Sequence, residues 1–121
     1  MKYLQDTLRE EFGKRSIADK ELPKYFMTSL NPMMKLRPYQ EECFKYLFTY
    51  WENEFDAKEL KPHLLFHMAT GSGKTLIMAG VMLYLYEQGY RNFLFFVDSA
   101  NIIEKTKDNF QKKLYFAFSA R

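Results

Sequence analysis

The stretch Met68-Ala69-Thr70-Gly71-Ser72-Gly73-Lys74-Thr75 decides the predicted fold of this chain. It follows a short apolar run at residues 64–68 and precedes a longer one at residues 76–86. Glycines two residues apart let the backbone bend so that successive N–H groups point inward at phosphate oxygens. A helix that begins after them presents its positive N-terminal end to the same anion. This order of strand, glycine loop and helix predicts a phosphate-binding loop.

Two side chains at the end of the loop indicate its chemistry. Lys74 can reach the β- and γ-phosphates of a nucleotide, and the Thr75 hydroxyl can ligate the Mg²⁺ that bridges them. We therefore expect ATP and Mg²⁺ as cofactors, Lys74 and Thr75 as catalytic residues, and Thr75 as the metal ligand. The strict motif has glycine where Met68 stands, and a plain turn between a strand and a helix is the alternative. The other predicted nucleotide contacts in the loop are Ala69, Thr70, Gly71, Ser72 and Gly73.

Apolar runs that alternate with helical segments predict an α/β fold. Strands that carry apolar residues on both faces are typical of a buried parallel sheet. An order of strand, helix, strand, helix and strand implies such a sheet with flanking helices. The predicted strands are residues 64–68, 93–97 and 114–118, and the predicted helices between them are residues 76–86 and 101–113.

The residues before the loop are predicted to be mainly helical. Residues 1–22 carry apolar residues at four-residue spacing, which indicates a charged helix that ends near Gly13 or near Pro23. Residues 23–36 are punctuated by prolines and are predicted to be a loop. Residues 38–55 begin with proline, which suits a first helical position, and are predicted to form a buried amphipathic helix.

Composition narrows the class of protein. The chain has 121 residues, of which 47% are hydrophobic and 27% charged, as in one small globular domain. A net charge of +3 permits a polyanionic partner without requiring one. Cys43 is the only cysteine, which rules out an internal disulfide and favours the reducing cytoplasm. No stretch approaches the roughly 20 apolar residues of a membrane span, so no membrane partner is expected.

Three segments together resemble a known family. They are Leu36-Arg37-Pro38-Tyr39-Gln40, the loop itself, and Phe95-Phe96-Val97-Asp98-Ser99-Ala100-Asn101-Ile102-Ile103. They resemble the restriction subunit of type III restriction enzymes, within the superfamily-2 helicases, over about residues 35–110. The resemblance implies a partial RecA-like P-loop NTPase lobe, with a parallel sheet and flanking helices. In this interpretation residues 1–35 are an N-terminal helical extension, and residues 36–121 are an incomplete first RecA-like ATP-binding domain.

The resemblance also implies roles for single residues. Gln40 matches the glutamine that reads the adenine edge, and Arg37 supports it or contacts phosphate. Helix-start chemistry around Pro38 is the alternative for both. Asp98 stands where family members often have proline. The residues that match the segment contacting the DNA backbone are Ser99, Ala100 and Asn101.

The implied function is that of an N-terminal ATP-binding part of a DNA-dependent ATPase and translocase. The expected partners of the full-length protein are DNA and a modification or specificity subunit. The Asp-Glu pair, the arginine finger and the nuclease domain that the family needs are not found in these 121 residues. We therefore expect nucleotide binding by this chain, without hydrolysis.

Two other function classes fit the sequence. The first is a small-molecule phosphotransferase, in which Asp98, 23 residues after Thr75, ends an apolar strand and binds the metal. The second is a non-enzymatic product that at most binds nucleotide.

His63 and His67 share a face of the predicted strand, but two histidines fall short of the four ligands of a structural zinc site.

Overall fold

The computed structural model describes residues 2–29, 35–69, 71–96 and 104. The chain divides into two compact units, of which the first comprises Met1–Leu22 and Arg37–Ala69 and the second the remainder. Of the helices within the described residues, none has the length and apolar character needed to cross a bilayer. These helices are α1 (Leu4–Phe12), α2 (Lys14–Ala18), α3 (Lys24–Ser29), α4 (Pro38–Glu52) and α5 (Lys74–Glu87).

The predicted RecA-like lobe with a parallel sheet is wrong, because the part of the chain that the structure describes contains helices and no β-strand. Side chains along residues 64–68 alternate between half-buried and exposed, and Leu65 is 92% exposed. In the second apolar run, Leu94 and Phe96 are each 84% exposed. A buried parallel strand needs neighbouring strands for its N–H and C=O groups and cover on both faces. Neither run has that environment within the described ranges.

The later elements of the predicted sheet lie almost entirely outside the described residues. The helix predicted over residues 101–113 has only Glu104 among the described residues, and the strand predicted over residues 114–118 lies outside them. The helix after the loop is confirmed as α5, and Gly89 follows its C-cap Gln88 with φ at +106°. Its N–H group donates to the Tyr86 carbonyl at 3.0 Å. Gly89 therefore ends this helix.

Gly13 divides the predicted N-terminal helix in two. Its φ of 82° and ψ of 134° lie outside the helical region, and glycine reaches positive φ without steric cost. Its N–H group donates to the Arg9 carbonyl at 2.9 Å, and its carbonyl accepts from the Ile17 N–H at 3.2 Å. Helix α1 therefore ends at this glycine, and α2 begins directly after it.

An aromatic cluster joins α1, α2 and α4 in the first unit. Leu8, Ile17 and Tyr50 are buried at its centre. The ring of Phe55 lies edge-on to those of Phe12 and Tyr50, with centroids 5.9 and 5.8 Å away. Such pairs add to the free energy gained from burial alone. The first unit therefore has a hydrophobic core of its own.

Helix α4 ends three residues before its predicted end. Asn53 has an extended backbone, and its side-chain amide donates to the Thr49 carbonyl at 2.9 Å. The Lys58 ammonium donates to the carbonyls of Trp51 at 3.3 Å and Asn53 at 2.7 Å. A positive charge at a helix C-terminus compensates its unpaired carbonyls. Lys58 therefore stabilises the end of this helix.

Helix α3 replaces part of the predicted loop at residues 23–36. The Pro23 carbonyl accepts from the N–H groups of Phe26 and Met27, at 3.1 and 3.2 Å. Phe26 is completely buried, and α3 contacts α5. A helix this short is not stable alone, so burial of Phe26 explains its formation.

Replacing Leu8 by alanine should lower the free energy of unfolding of the first unit by about 2–5 kcal/mol, because Leu8 is 1% exposed in the aromatic cluster. Leu60 is fully exposed, so Leu60→Ala is the matched control and should change it by less than about 0.5 kcal/mol. Urea unfolding followed by the fluorescence of Trp51 measures both. Equal effects of the two substitutions would contradict the position assigned to α1.

Candidate functional site

The backbone of the loop turns at two glycines before α5 begins. Gly71 has φ of 77°, and Gly73 has φ of 86° with ψ of 35°. Side chains rarely adopt this left-handed region, whereas glycine does so readily. The Gly73 carbonyl then accepts the Ile77 N–H at 3.1 Å as α5 starts at Lys74. The two glycines therefore place the helix start directly at the loop.

The N-terminus of α5 suits an anion. The first N–H groups of a helix have no partner inside it, and the N-cap residue of α5, Gly73, has no side chain that could cap them. A Cβ atom added at Gly71 would meet no atom within 4 Å, so there is open space beside the loop. Backbone donors and the positive end of the helix dipole favour a phosphate group in this position.

Burial of α5 fixes the position of its first turn. Lys74 at the start is exposed, and Thr75 beside it is half-buried. Helix α5 packs against α3, which brings completely buried Phe26 to the same unit. The buried residues of α5 are Leu76, Ile77, Ala79, Gly80, Leu83 and Tyr84.

Gln40 is the third residue of α4, and its side chain caps the helix. Its Oε1 atom accepts the backbone N–H of Arg37 at 2.9 Å, while the Arg37 carbonyl accepts the Gln40 N–H at 2.9 Å. Gln40 is only 4% exposed. This reciprocal pair is half of a capping box, in which the residue at the third position bonds back to the N-cap. The helix-start role considered for Gln40 is therefore present in the structure.

Arg37 is the N-cap residue of α4, and its side chain is directed along the surface. Its backbone is extended, with φ of −75° and ψ of 154°, and its guanidinium donates to the Tyr39 hydroxyl at 3.2 Å. Both residues are exposed. A cation and an aromatic ring thus lie together on the surface next to the capping pair.

The structure places the predicted site residues in two groups. Arg37, Gln40 and Ala69 belong to the first unit. Residues 71–75 of the loop belong to the second unit. The predicted residues outside the described part of the chain are Thr70, Asp98, Ser99, Ala100 and Asn101.

The other chemically notable side chains of the described residues form no site. Burial raises the pKa of the Cys43 thiol to about 11, and the charge of Glu42 adds to the effect. A thiol of this kind is a poor nucleophile at neutral pH. His63 is exposed beside Glu59, with 3.6 Å between Nδ1 and the carboxylate. No group of three or more metal-ligating residues occurs among the described residues.

The capping by Lys58 was not predicted from sequence, and helix-start chemistry at Gln40 was considered only as an alternative. Glutamine at the third position is part of the capping-box signature, and proline separately suits the first helical position. The N-cap residue is Arg37 instead of serine or threonine, so the signature is incomplete. A search for glutamine three residues after the N-cap would have identified Gln40 as a capping residue.

Comparisons with known proteins support the resemblance stated above. Residues 33–120 match the family model described as "Type III restriction enzyme, res subunit". Over 63 residues the chain is 52% identical to the probable type III restriction-modification enzyme HindVIP Res subunit of Haemophilus influenzae. That alignment covers 52% of this chain and 12% of the relative, so the chain spans a small part of it. No solved structure matches the chain.

Replacing Gln40 by methionine should lower the free energy of unfolding by about 1 kcal/mol, because the Arg37 N–H loses its acceptor. Methionine keeps the length of the side chain and lacks the oxygen. Gln5 is exposed on α1 of the same unit, so Gln5→Met serves as the control and should have an effect below about 0.5 kcal/mol. Urea unfolding is the measurement. An unchanged Gln40→Met protein would show that the cap contributes nothing.

Proposed function

This chain belongs to the family of type III restriction enzyme res subunits, and on that premise we propose that residues 69–75 bind the phosphates of ATP with Mg²⁺. In the whole protein, this binding serves a DNA-dependent ATPase that moves along DNA. The proposed contacts are Ala69, Thr70, Gly71, Ser72, Gly73, Lys74 and Thr75.

One observation carries the proposal. Gly71 and Gly73 both have positive φ, and α5 begins at the very next residue without a side-chain cap. A loop of this geometry directs backbone N–H groups toward one point, where a phosphate accepts them.

The two side chains at the start of α5 are the proposed contacts to the phosphates and to Mg²⁺. The exposed Lys74 ammonium neutralises charge on the β- and γ-phosphates. Thr75 is the residue that would ligate Mg²⁺ through its hydroxyl oxygen, because a hard cation prefers oxygen ligands. Bound magnesium would supply positive charge beside the phosphates.

Gln40 is the proposed adenine contact, together with Arg37 in a supporting role. The cap uses one lone pair of the Gln40 oxygen. A side-chain amide has a second lone pair and two N–H donors, which allows a bidentate contact to a base. An adenine contact by Gln40 stays a prediction, since the amide is only 4% exposed.

The partners proposed for the whole protein follow from its family. Ser99, Ala100 and Asn101 are the proposed contacts to the DNA backbone, and a modification subunit is the proposed protein partner. The division of the chain after residue 35 into a helical extension and an ATP-binding part stays a prediction. The phosphotransferase alternative depended on Asp98, which lies outside the described residues, and the family membership does not favour it.

Replacing Lys74 by alanine should abolish binding of ATP and ADP, because the phosphates lose their main positive charge. Titration with a fluorescent ATP analogue in the presence of Mg²⁺ measures the affinity. Lys61 is equally exposed but lies away from the loop in sequence, so Lys61→Ala is the control and should bind as the wild type does. Equal binding by Lys74→Ala and the wild type would refute the phosphate site.

The wild type should prefer ATP over GTP, because a bidentate amide that meets the wrong base leaves polar groups unpaired. Gln40→Met should reduce this preference by about tenfold or more, whereas Gln5→Met should retain it. Competition of ATP and GTP against the fluorescent analogue provides the ratio. Equal competition by the two nucleotides in the wild type would remove Gln40 from the site.

A further inference from the structure

We propose that the helix pair α1 and α2, residues 4–18, is a brace that orients α4 and thereby Gln40, with Arg9 and Tyr46 as its positioning residues. The inference rests on the proposed function, in which Gln40 contacts adenine. It assigns residues that precede the family match, which starts at residue 33, to base recognition.

Helix α4 carries Gln40 on one face and contacts α1 and α2 through another. Gln40, Phe44 and Leu47 follow one another at helical spacing on one buried face. Lys45 and Tyr46 lie on the opposite face, where they contact the helix pair. Because a helix is rigid over three turns, a contact on the second face sets the direction of the first.

Arg9 joins α1 to this second face. Its Nε atom donates to the Tyr46 hydroxyl at 2.5 Å, and its guanidinium carbon lies 5.4 Å from the centre of the Tyr46 ring. Its terminal nitrogen is 3.7 Å from the Glu42 carboxylate. A cation that contacts a hydroxyl, a ring and a carboxylate at once restrains the helix in several directions.

Lys45 joins α2 to the same face. Its ammonium donates to the Ala18 carbonyl, the last of α2, at 2.8 Å and lies 3.2 Å from the Glu41 carboxylate. A groove of about 260 Å³ opens beside it. Polar contacts, and not close packing alone, therefore keep the first half of α4 in place. The groove is lined by Lys14, Ile17, Ala18, Pro38, Glu41, Glu42, Lys45 and Tyr46.

The brace lies in the unit of Gln40, whereas residues 71–75 of the phosphate loop lie in the other unit. Loosening the brace should therefore affect recognition of the base and leave recognition of the phosphates unchanged. This separation distinguishes a positioning role from a general loss of stability, which would weaken both.

The test compares two probes on the full chain, Mg-ATP and Mg-tripolyphosphate. Arg9→Ala should weaken ATP binding by about fivefold and change tripolyphosphate binding by less than about twofold. Tyr46→Phe removes only the hydroxyl and should act in the same direction. Arg15 on α2 is almost fully exposed and serves as the arginine control, so Arg15→Ala should bind both probes as the wild type does.

A second measurement tests the route through Gln40. In a Gln40→Met background, Arg9→Ala should cause no further loss of ATP affinity, because the contact that the brace positions is already gone. The proposal is overturned if Arg9→Ala lowers the affinity for both probes equally or for neither. It is also overturned if Arg9→Ala lowers ATP affinity as much in the Gln40→Met background as in the wild type. A wild type that binds neither probe would refute the proposed function itself, whereas ATP binding that is insensitive to Arg9 refutes only the brace.

Discussion

The removal of aromatic side chains from water is the interaction on which the first unit depends. Helix α4 has 15 residues, a length at which an isolated helix is barely stable in water. Phe44 and Phe48 are completely buried, and Tyr50 is 4% exposed. Burial of each such side chain contributes about 1.5–3 kcal/mol. Helices α1 and α2 are too short to be stable alone, so their packing against α4 stabilises them.

The second unit depends on a backbone constraint instead. A residue with a Cβ atom in the left-handed region costs roughly 1–2 kcal/mol, so glycine at position 73 allows α5 to begin where it does. Glycine at this position also has no side chain that could cap the first N–H groups of the helix. One local feature thus determines both where the helix starts and why an anion suits it.

Local patterns predicted the helices well and the sheet wrongly. Helix α4 follows from its proline and its periodic apolar residues, and α5 follows from the flanking glycines and a continuous apolar run, all of which are encoded within a few turns. A strand is completed only by pairing with residues elsewhere in the chain, so the apolar run at residues 64–68 could suggest a strand but not establish one. Helix α3 was missed because six residues show no clear period, and its formation depends on the burial of Phe26.

The candidate site was predictable to a similar extent. The turn at the two glycines could be predicted from their spacing, and both have positive φ, whereas their phosphate-binding role stays a prediction. The assignment of Gln40 came from a family resemblance, which does not reveal that its side chain also caps α4. That second role depends on the exact start of the helix at Pro38, and helix boundaries are the least certain part of any interpretation from sequence.

The exposed apolar side chains in residues 64–68 and 93–96 affect the solubility of the protein. Leu65, Leu94 and Phe96 present most of their surface to water, and the last two are only two residues apart. Salts such as sulfate raise the free energy of exposed apolar surface because they are excluded from it. The saturation concentration of this chain should therefore fall steeply as sulfate is added. Chaotropic anions, which accumulate at such surfaces, should keep it dispersed.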